Sequence, residues 1–145
     1  MVFCLSIQCI IVGTLLDALI LLEKKGLIRQ TLLGMSSLLV AIMLIMLAGN
    51  FIQITLWAGL FFVLNEFADF ATAFYHSVVN FATLGYGDIV MSEKRRLLGA
   101  LEAANGVLML GLTTGFLYTI LSGVLQRYWD EQFGQVAESD QALTQ

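Results

Sequence analysis

The sequence contains no proline and has few charged residues for its length. Only 12% of its 145 residues are Asp, Glu, Lys or Arg, whereas 59% belong to hydrophobic types. Soluble domains carry roughly 25% charged residues, so this chain has about half of the charge that a water-exposed surface requires. The absence of proline excludes a proline kink in any helix. The composition therefore predicts one domain embedded in a membrane.

Basic residues and cysteines are also scarce. Seven Lys and Arg stand against 11 Asp and Glu, which gives a net charge of −4. This acidic balance excludes a nucleic-acid partner, which requires a basic surface. The two cysteines, Cys4 and Cys9, lie close together in an apolar run. Because residues at their spacing point away from each other on a helix, neither a disulfide nor a metal pair is expected.

Three apolar stretches are long enough to cross a bilayer, which requires about 20 residues. They cover 2–22, 30–65 and 97–126. The first stretch has neither a basic flank nor a cleavage site, so we expect a transmembrane helix rather than a signal peptide. This helix and the loop after it would form an N-terminal unit at 1–30. The second is too short for two spans with a turn, which predicts a single tilted outer helix over 31–65. A polar tail at 127–145 follows the inner helix at 97–126.

A shorter apolar segment at 69–82 separates the last two stretches. About 20 Å of helix cannot span a bilayer, so this segment predicts a re-entrant helix whose first turn Asp69 can cap. The sequence T-L-G-Y-G-D follows at 83–88. Non-helical backbone at membrane depth is tolerated only where it is buried in protein or lines a water-filled path.

The glycines of this hexapeptide indicate a row of backbone oxygens. Successive carbonyls point the same way if the backbone alternates between right- and left-handed dihedrals, and glycine adopts the left-handed ones at little steric cost. Gly85 and Gly87 occupy such alternate positions, and Thr83 adds a hydroxyl oxygen. Leu84 and Tyr86 would then face away from the oxygens. Uncharged oxygens can replace the water around a cation without trapping it.

The hexapeptide resembles the selectivity filter of the potassium-channel family, whose signature reads T-V-G-Y-G-D. Leu84 stands where the signature has valine, and the resemblance extends over about 51–129. The chain looks like small bacterial channel subunits in which one extra helix precedes a two-helix pore. The resemblance implies an all-α membrane protein with three transmembrane helices, a re-entrant pore helix and a filter loop, with its pore domain at 31–126. It also implies a homotetramer that conducts K⁺ passively.

The resemblance further implies the residues of the site. The K⁺ ligands would be the carbonyls of Thr83, Leu84, Gly85 and Tyr86 and the hydroxyl of Thr83, with no organic cofactor. The filter would be supported by Gly87, Asp88, Tyr75, His76 and Glu102. Asp88 would accept a hydrogen bond from Tyr75 or His76, and a lone histidine is more often structural than titrating. Gly106, Gly111 and Gly115 would form a gating hinge, for which close helix packing is the alternative.

Polar residues inside the apolar stretches are further candidates, because such groups are costly in a membrane. They are Asp17, Asn50, Gln53, Glu102 and Asn105. Glu102 would support the filter from behind, pair with Arg95 or Arg96, or simply form a hydrogen bond between helices. No stretch carries the regularly spaced arginines of a voltage sensor. We expect no enzymatic activity, since intramembrane hydrolysis needs a facing nucleophile and base, and the sole histidine belongs to the pore helix.

The implied orientation places the N-terminus outside and the C-terminus in the cytoplasm, in a bacterial inner membrane. Lys24, Lys25 and Arg29 then lie inside, as the positive-inside rule prefers, whereas the basic residues at 94–96 lie outside. The expected partners are further copies of the chain and membrane lipids. Two alternatives stay open: a weakly selective cation channel and a non-conducting regulatory membrane subunit.

Overall fold

The computed structural model describes residues 2–24 and 32–143. Every regular element in these two ranges is an α-helix: α1 is Val2–Lys24, α2 is Leu32–Val63, α3 is Phe70–Phe81 and α4 is Arg96–Leu143. The all-helical fold predicted from the sequence is confirmed. The loop that contains Lys25, Gly26 and Arg29 lies outside the described residues.

Three of the helices are long and apolar enough to cross a membrane. Their candidate spans are Val2–Leu22 in α1, Ser36–Val63 in α2 and Arg96–Gln126 in α4. At 1.5 Å per residue, α2 is about 48 Å long and exceeds a ~30 Å hydrocarbon layer. A single long helix, α2, therefore covers Leu32–Val63 of the uncharged stretch, as the sequence predicts.

The last helix is longer than expected. The sequence analysis ends the inner helix at 126, whereas α4 continues to Leu143. The residues beyond 126 are polar but rich in Glu, Gln and Ala, which have high helix propensity. Because proline is absent, nothing in this segment obliges the helix to stop.

A cap at each end determines where the short helix α3 begins and ends. Its N-cap, Asp69, accepts hydrogen bonds from the backbone N–H and the hydroxyl of Thr72 at 2.8 and 2.7 Å, which confirms the predicted cap. At its other end, Thr83 N donates to Asn80 O and Leu84 N donates to Val79 O, both at 2.9 Å. This pair of bonds is a Schellman motif, which terminates a helix with one residue in the left-handed conformation.

Two hydrophobic clusters hold the helices together. The first joins all four helices around α3 and contains Cys4, Ile54, Trp57, Ala58, Phe61, Ala73, Phe81 and Met109. The second joins α1, α2 and α4 further from α3 and contains Leu15, Ile42, Met46 and Phe116. Both cysteines are free, with Cys4 buried and Cys9 exposed. The packing fixes α3 against α2 and α4.

Candidate functional site

The segment that follows α3 has an alternating backbone. Thr83, Gly85 and Gly87 have φ angles of 58°, 58° and 75°, whereas Leu84 and Tyr86, which separate them, do not have positive φ. The prediction of left-handed dihedrals at Gly85 and Gly87 is confirmed. Such alternation turns successive carbonyl oxygens toward one side of the chain.

Thr83 also adopts the left-handed conformation, which the sequence analysis did not foresee. Its position explains why: Thr83 is the left-handed residue of the Schellman motif that ends α3, where glycine is usual. A left-handed β-branched residue costs on the order of 1–3 kcal/mol, and such strain is concentrated at functional sites. The alternation therefore begins at the helix end rather than at the first glycine.

Asp88 follows the alternating segment and is held by Tyr75 of α3. Tyr75 Oη donates to Asp88 Oδ2 at 2.7 Å, and Ile89 N donates to Asp88 Oδ1 at 3.0 Å. The tyrosine hydroxyl lowers the pKa of Asp88, and the same bond raises the pKa of Tyr75. Of the two partners expected for Asp88, the structure selects Tyr75.

His76 contacts aromatic rings instead of the carboxylate. Its side chain is buried, with ring centroids 5.7 Å from Phe61 and 4.9 Å from Phe67. Burial lowers the pKa of His76, because the charged imidazolium is poorly solvated there. The geometry makes His76 a packing residue between α2 and α3.

Glu102 of α4 contacts α3 at Asn80. Asn80 Nδ2 donates to Glu102 Oε2 at 2.8 Å and to the carbonyl of Gly99 at 2.6 Å. Of the alternatives for Glu102, the described residues form the hydrogen bond between helices and not the pairing with Arg95 or Arg96, because Glu102 is fully buried at the α3–α4 interface. Asn80 was not among the predicted site residues. Its only signal in the sequence is a polar residue next to the end of an apolar helix.

Arg95 pairs instead with Glu66, which lies between α2 and α3. The Arg95 Nη1 to Glu66 Oε2 distance is 3.1 Å. Glu66 also accepts hydrogen bonds from the backbone N–H of Ser92 and, at 3.0 Å, from its hydroxyl. The backbone N–H of Ser92 lowers the pKa of Glu66. These bonds tie the segment before α3 to the segment after Asp88.

The three glycines of the predicted hinge have different surroundings in α4. A Cβ atom at Gly106 would lie 2.0 Å from the carbonyl oxygen of Phe81, whereas Gly111 and Gly115 have open space at that position. Gly106 therefore permits the close approach of α3 to α4. Hinge motion at Gly111 and Gly115 stays a prediction.

The comparisons with known proteins agree with this arrangement. A family model described as an ion channel matches residues 41–123, more than half of the chain. The match runs from within α2 through α3 and the alternating segment into α4, and it leaves out α1. The chain matches no curated protein and no solved structure.

Proposed function

Since the chain belongs to the ion channel family, we propose that it forms a potassium-selective channel. In this proposal, four copies surround one pore and K⁺ passes through it passively. The observation that carries the proposal is the left-handed backbone at Thr83, Gly85 and Gly87. It supplies the alternation that a row of inward-facing carbonyl oxygens requires.

The ligands of K⁺ would be main-chain oxygens. A dehydrated potassium ion needs several oxygen ligands, and carbonyls provide them without a fixed charge. We assign this role to the carbonyls of Thr83, Leu84, Gly85 and Tyr86, with the Thr83 hydroxyl at the end of the row. K⁺ is the transported substrate, and no organic cofactor is needed.

One chain provides one strand of such a filter, so a complete ring requires several copies. Four carbonyls per level, related by cyclic symmetry, would surround each ion. The side chains beside the filter support this assembly: Leu84 is 54% exposed and Tyr86 is 67% exposed in the single chain. Neighbouring copies would cover both, which would leave the carbonyls as the pore lining.

Two features would favour cations near the filter. The carboxylate of Asp88 lies next to it, and its hydrogen bond from Tyr75 favours the ionised form. The C-terminal end of α3, at Phe81, carries the partial negative charge of a helix terminus. Both would raise the local concentration of cations. We also propose that the filter lies at the outer face of the membrane and the C-terminus in the cytoplasm.

The experiment is ion flux into liposomes that contain only this purified protein. We expect flux when K⁺ is the permeant ion, and strongly reduced flux when Na⁺ replaces K⁺. Equal flux of both ions would identify a weakly selective cation channel and overturn the assigned selectivity. Absence of flux from a correctly assembled protein would favour a non-conducting regulatory subunit.

A matched pair of variants links the flux to the filter. Tyr86→Asp should weaken the preference for K⁺ over Na⁺, because it places a charge beside the carbonyl row. Lys94→Asp, at an exposed position outside the candidate membrane spans, is the control and should keep the preference. An unchanged reversal potential in Tyr86→Asp would contradict the filter assignment.

A further inference from the structure

Four polar side chains join α1 to α2 and α4 inside the candidate membrane spans. This polar cluster consists of Gln8 of α1, Asn50 and Gln53 of α2, and Thr113 of α4. Gln53 Nε2 donates to Gln8 Oε1 at 2.8 Å, and Gln8 Nε2 donates to Thr113 Oγ1 at 3.1 Å. Asn50 Nδ2 approaches the same hydroxyl at 3.4 Å. Gln8 and Gln53 are fully buried.

Gln8 is the residue through which α1 is held to its neighbours. Its amide contacts Met46 and Gln53 of α2 and Thr113 of α4. The hydroxyl of Thr14, by contrast, bonds within α1. A Cβ atom at Gly49 would lie 2.6 Å from Ile11 Cδ1, so Gly49 lets α1 approach α2 closely. Because a buried amide in a membrane is costly without partners, these bonds fix which face of α1 packs inward.

The bond from Gln8 reaches α4 at its most deformable part. Thr113 lies between Gly111 and Gly115, and neither glycine is required by close packing. Glycine is a poor helix former, so it lowers the resistance of a helix to bending. One residue beyond Gly115, Phe116 packs in the cluster that contains Leu15 of α1. Helix α1 therefore contacts α4 on both sides of Gly115.

We propose that α1 is an intramembrane brace on α4. The bond between Gln8 and Thr113, together with the apolar contact at Phe116, stabilises the continuous form of α4. Bending at Gly111 separates Thr113 from Gln8, and bending at Gly115 separates Phe116 from Leu15, so α1 biases the equilibrium between the gating states of the pore. This role rests on the proposed channel function, and it assigns a purpose to the helix that the family match leaves out.

The test is a double-mutant cycle on single-channel open probability. Gln8→Leu and Thr113→Val each remove the bond and keep apolar volume. A hydrogen bond between membrane helices shifts an equilibrium by about threefold on average, so we expect each variant to change open probability by about threefold or more. The double variant should change it no further, because both substitutions remove the same bond. Selectivity for K⁺ over Na⁺ should stay unchanged.

The controls are threonines that bond within their own helices. Thr14→Val in α1 and Thr55→Val in α2 remove hydroxyls that bond to Ile10 O and Phe51 O, and both should keep the wild-type open probability. A wild-type open probability in Gln8→Leu and Thr113→Val, or effects that multiply in the double variant, would overturn the brace while leaving the channel function intact.

A second readout does not depend on conduction. Amide hydrogen exchange of residues 109–117 in lipid nanodiscs should be faster in Gln8→Leu than in wild type or Thr14→Val. Faster exchange in Gln8→Leu supports the brace, whether or not the protein conducts. If flux is absent, the proposed channel function is refuted by the flux experiment and not by the exchange experiment. Equal exchange in all three proteins overturns the brace.

Discussion

Gly106 of α4 lies against Phe81 at the end of α3, and a Cβ atom at position 106 would come within 2.0 Å of the Phe81 carbonyl oxygen. The obstructing atom belongs to the backbone, so it cannot move without α3. We therefore expect Gly106→Ala to displace the end of α3, at a cost of about 1–3 kcal/mol for overpacking. The measurement is the thermal stability of the purified protein.

Gly111→Ala is the matched control for this substitution. It adds the same methyl group where no atom lies within 4 Å, and it should leave thermal stability unchanged or slightly raise it through higher helix propensity. Equal destabilisation by the two substitutions would contradict the contact with Phe81. It would indicate that helix flexibility, rather than packing, explains Gly106.

The bond between Tyr75 and Asp88 should control the response to acid at the filter mouth. The tyrosine hydroxyl holds the pKa of Asp88 below its ordinary value of 3.8. The stabilisation from this bond is therefore present above the ordinary pKa and is lost as pH falls through the lowered one. Tyr75→Phe should raise the pKa of Asp88, so the current should begin to fall at a higher pH.

The measurement is K⁺ current against pH on the side of the filter mouth. Tyr118→Phe, at an exposed position of α4, removes a hydroxyl elsewhere and should leave the pH profile unchanged. The assignment of Asp88 as the acid-sensitive carboxylate fails if the profiles of Tyr75→Phe and wild type coincide.

The hydrogen bond from Asn80 to Glu102 predicts a compensating pair. Asn80→Leu leaves the fully buried Glu102 carboxylate without this donor, and an unsatisfied buried polar group costs about 1–3 kcal/mol. Adding Glu102→Leu removes that group, so the double variant should be more stable than Asn80→Leu alone. Thermal unfolding in one detergent compares Asn80→Leu and the double variant with wild type. A double variant less stable than Asn80→Leu would contradict the account.

The contacts of Glu66 should protect the segment that follows the filter. Glu66→Ala removes the acceptor of the Ser92 backbone N–H and the ion-pair partner of Arg95. We expect faster hydrogen exchange of the Ser92 amide, whereas Glu93→Ala, at an exposed residue of the same segment, should leave it unchanged. The pKa of Glu66 is lowered from its ordinary value of 4.5. The protection is therefore present above pH 4.5 and is lost as the pH falls through the lowered pKa.

Features with a local sequence signal could be predicted. The long apolar stretches specify α1, α2 and α4, since a bilayer requires a minimum helix length. The cap at Asp69 and the left-handed Gly85 and Gly87 follow from the conformational preferences of single residues. The bond between Tyr75 and Asp88 was one of two expected partnerships.

Features that depend on contacts between distant residues could not be predicted. Asn80, Glu66 and Gln8 are single polar residues, and their spacing gives no indication of their partners on other elements. The pairing of Arg95 depends on where the segment before α3 packs. Thr83 was missed for another reason: the Schellman motif at the end of α3 places a threonine where glycine is the usual residue.

The most direct test is the structure of the assembled protein in lipid, determined with Tl⁺ as an electron-dense substitute for K⁺. The account predicts four copies around one axis, with Tl⁺ on that axis between rings of oxygens from residues 83–86. A monomer or dimer, or a tetramer whose oxygens at 83–86 face lipid with no ion on the axis, would contradict it.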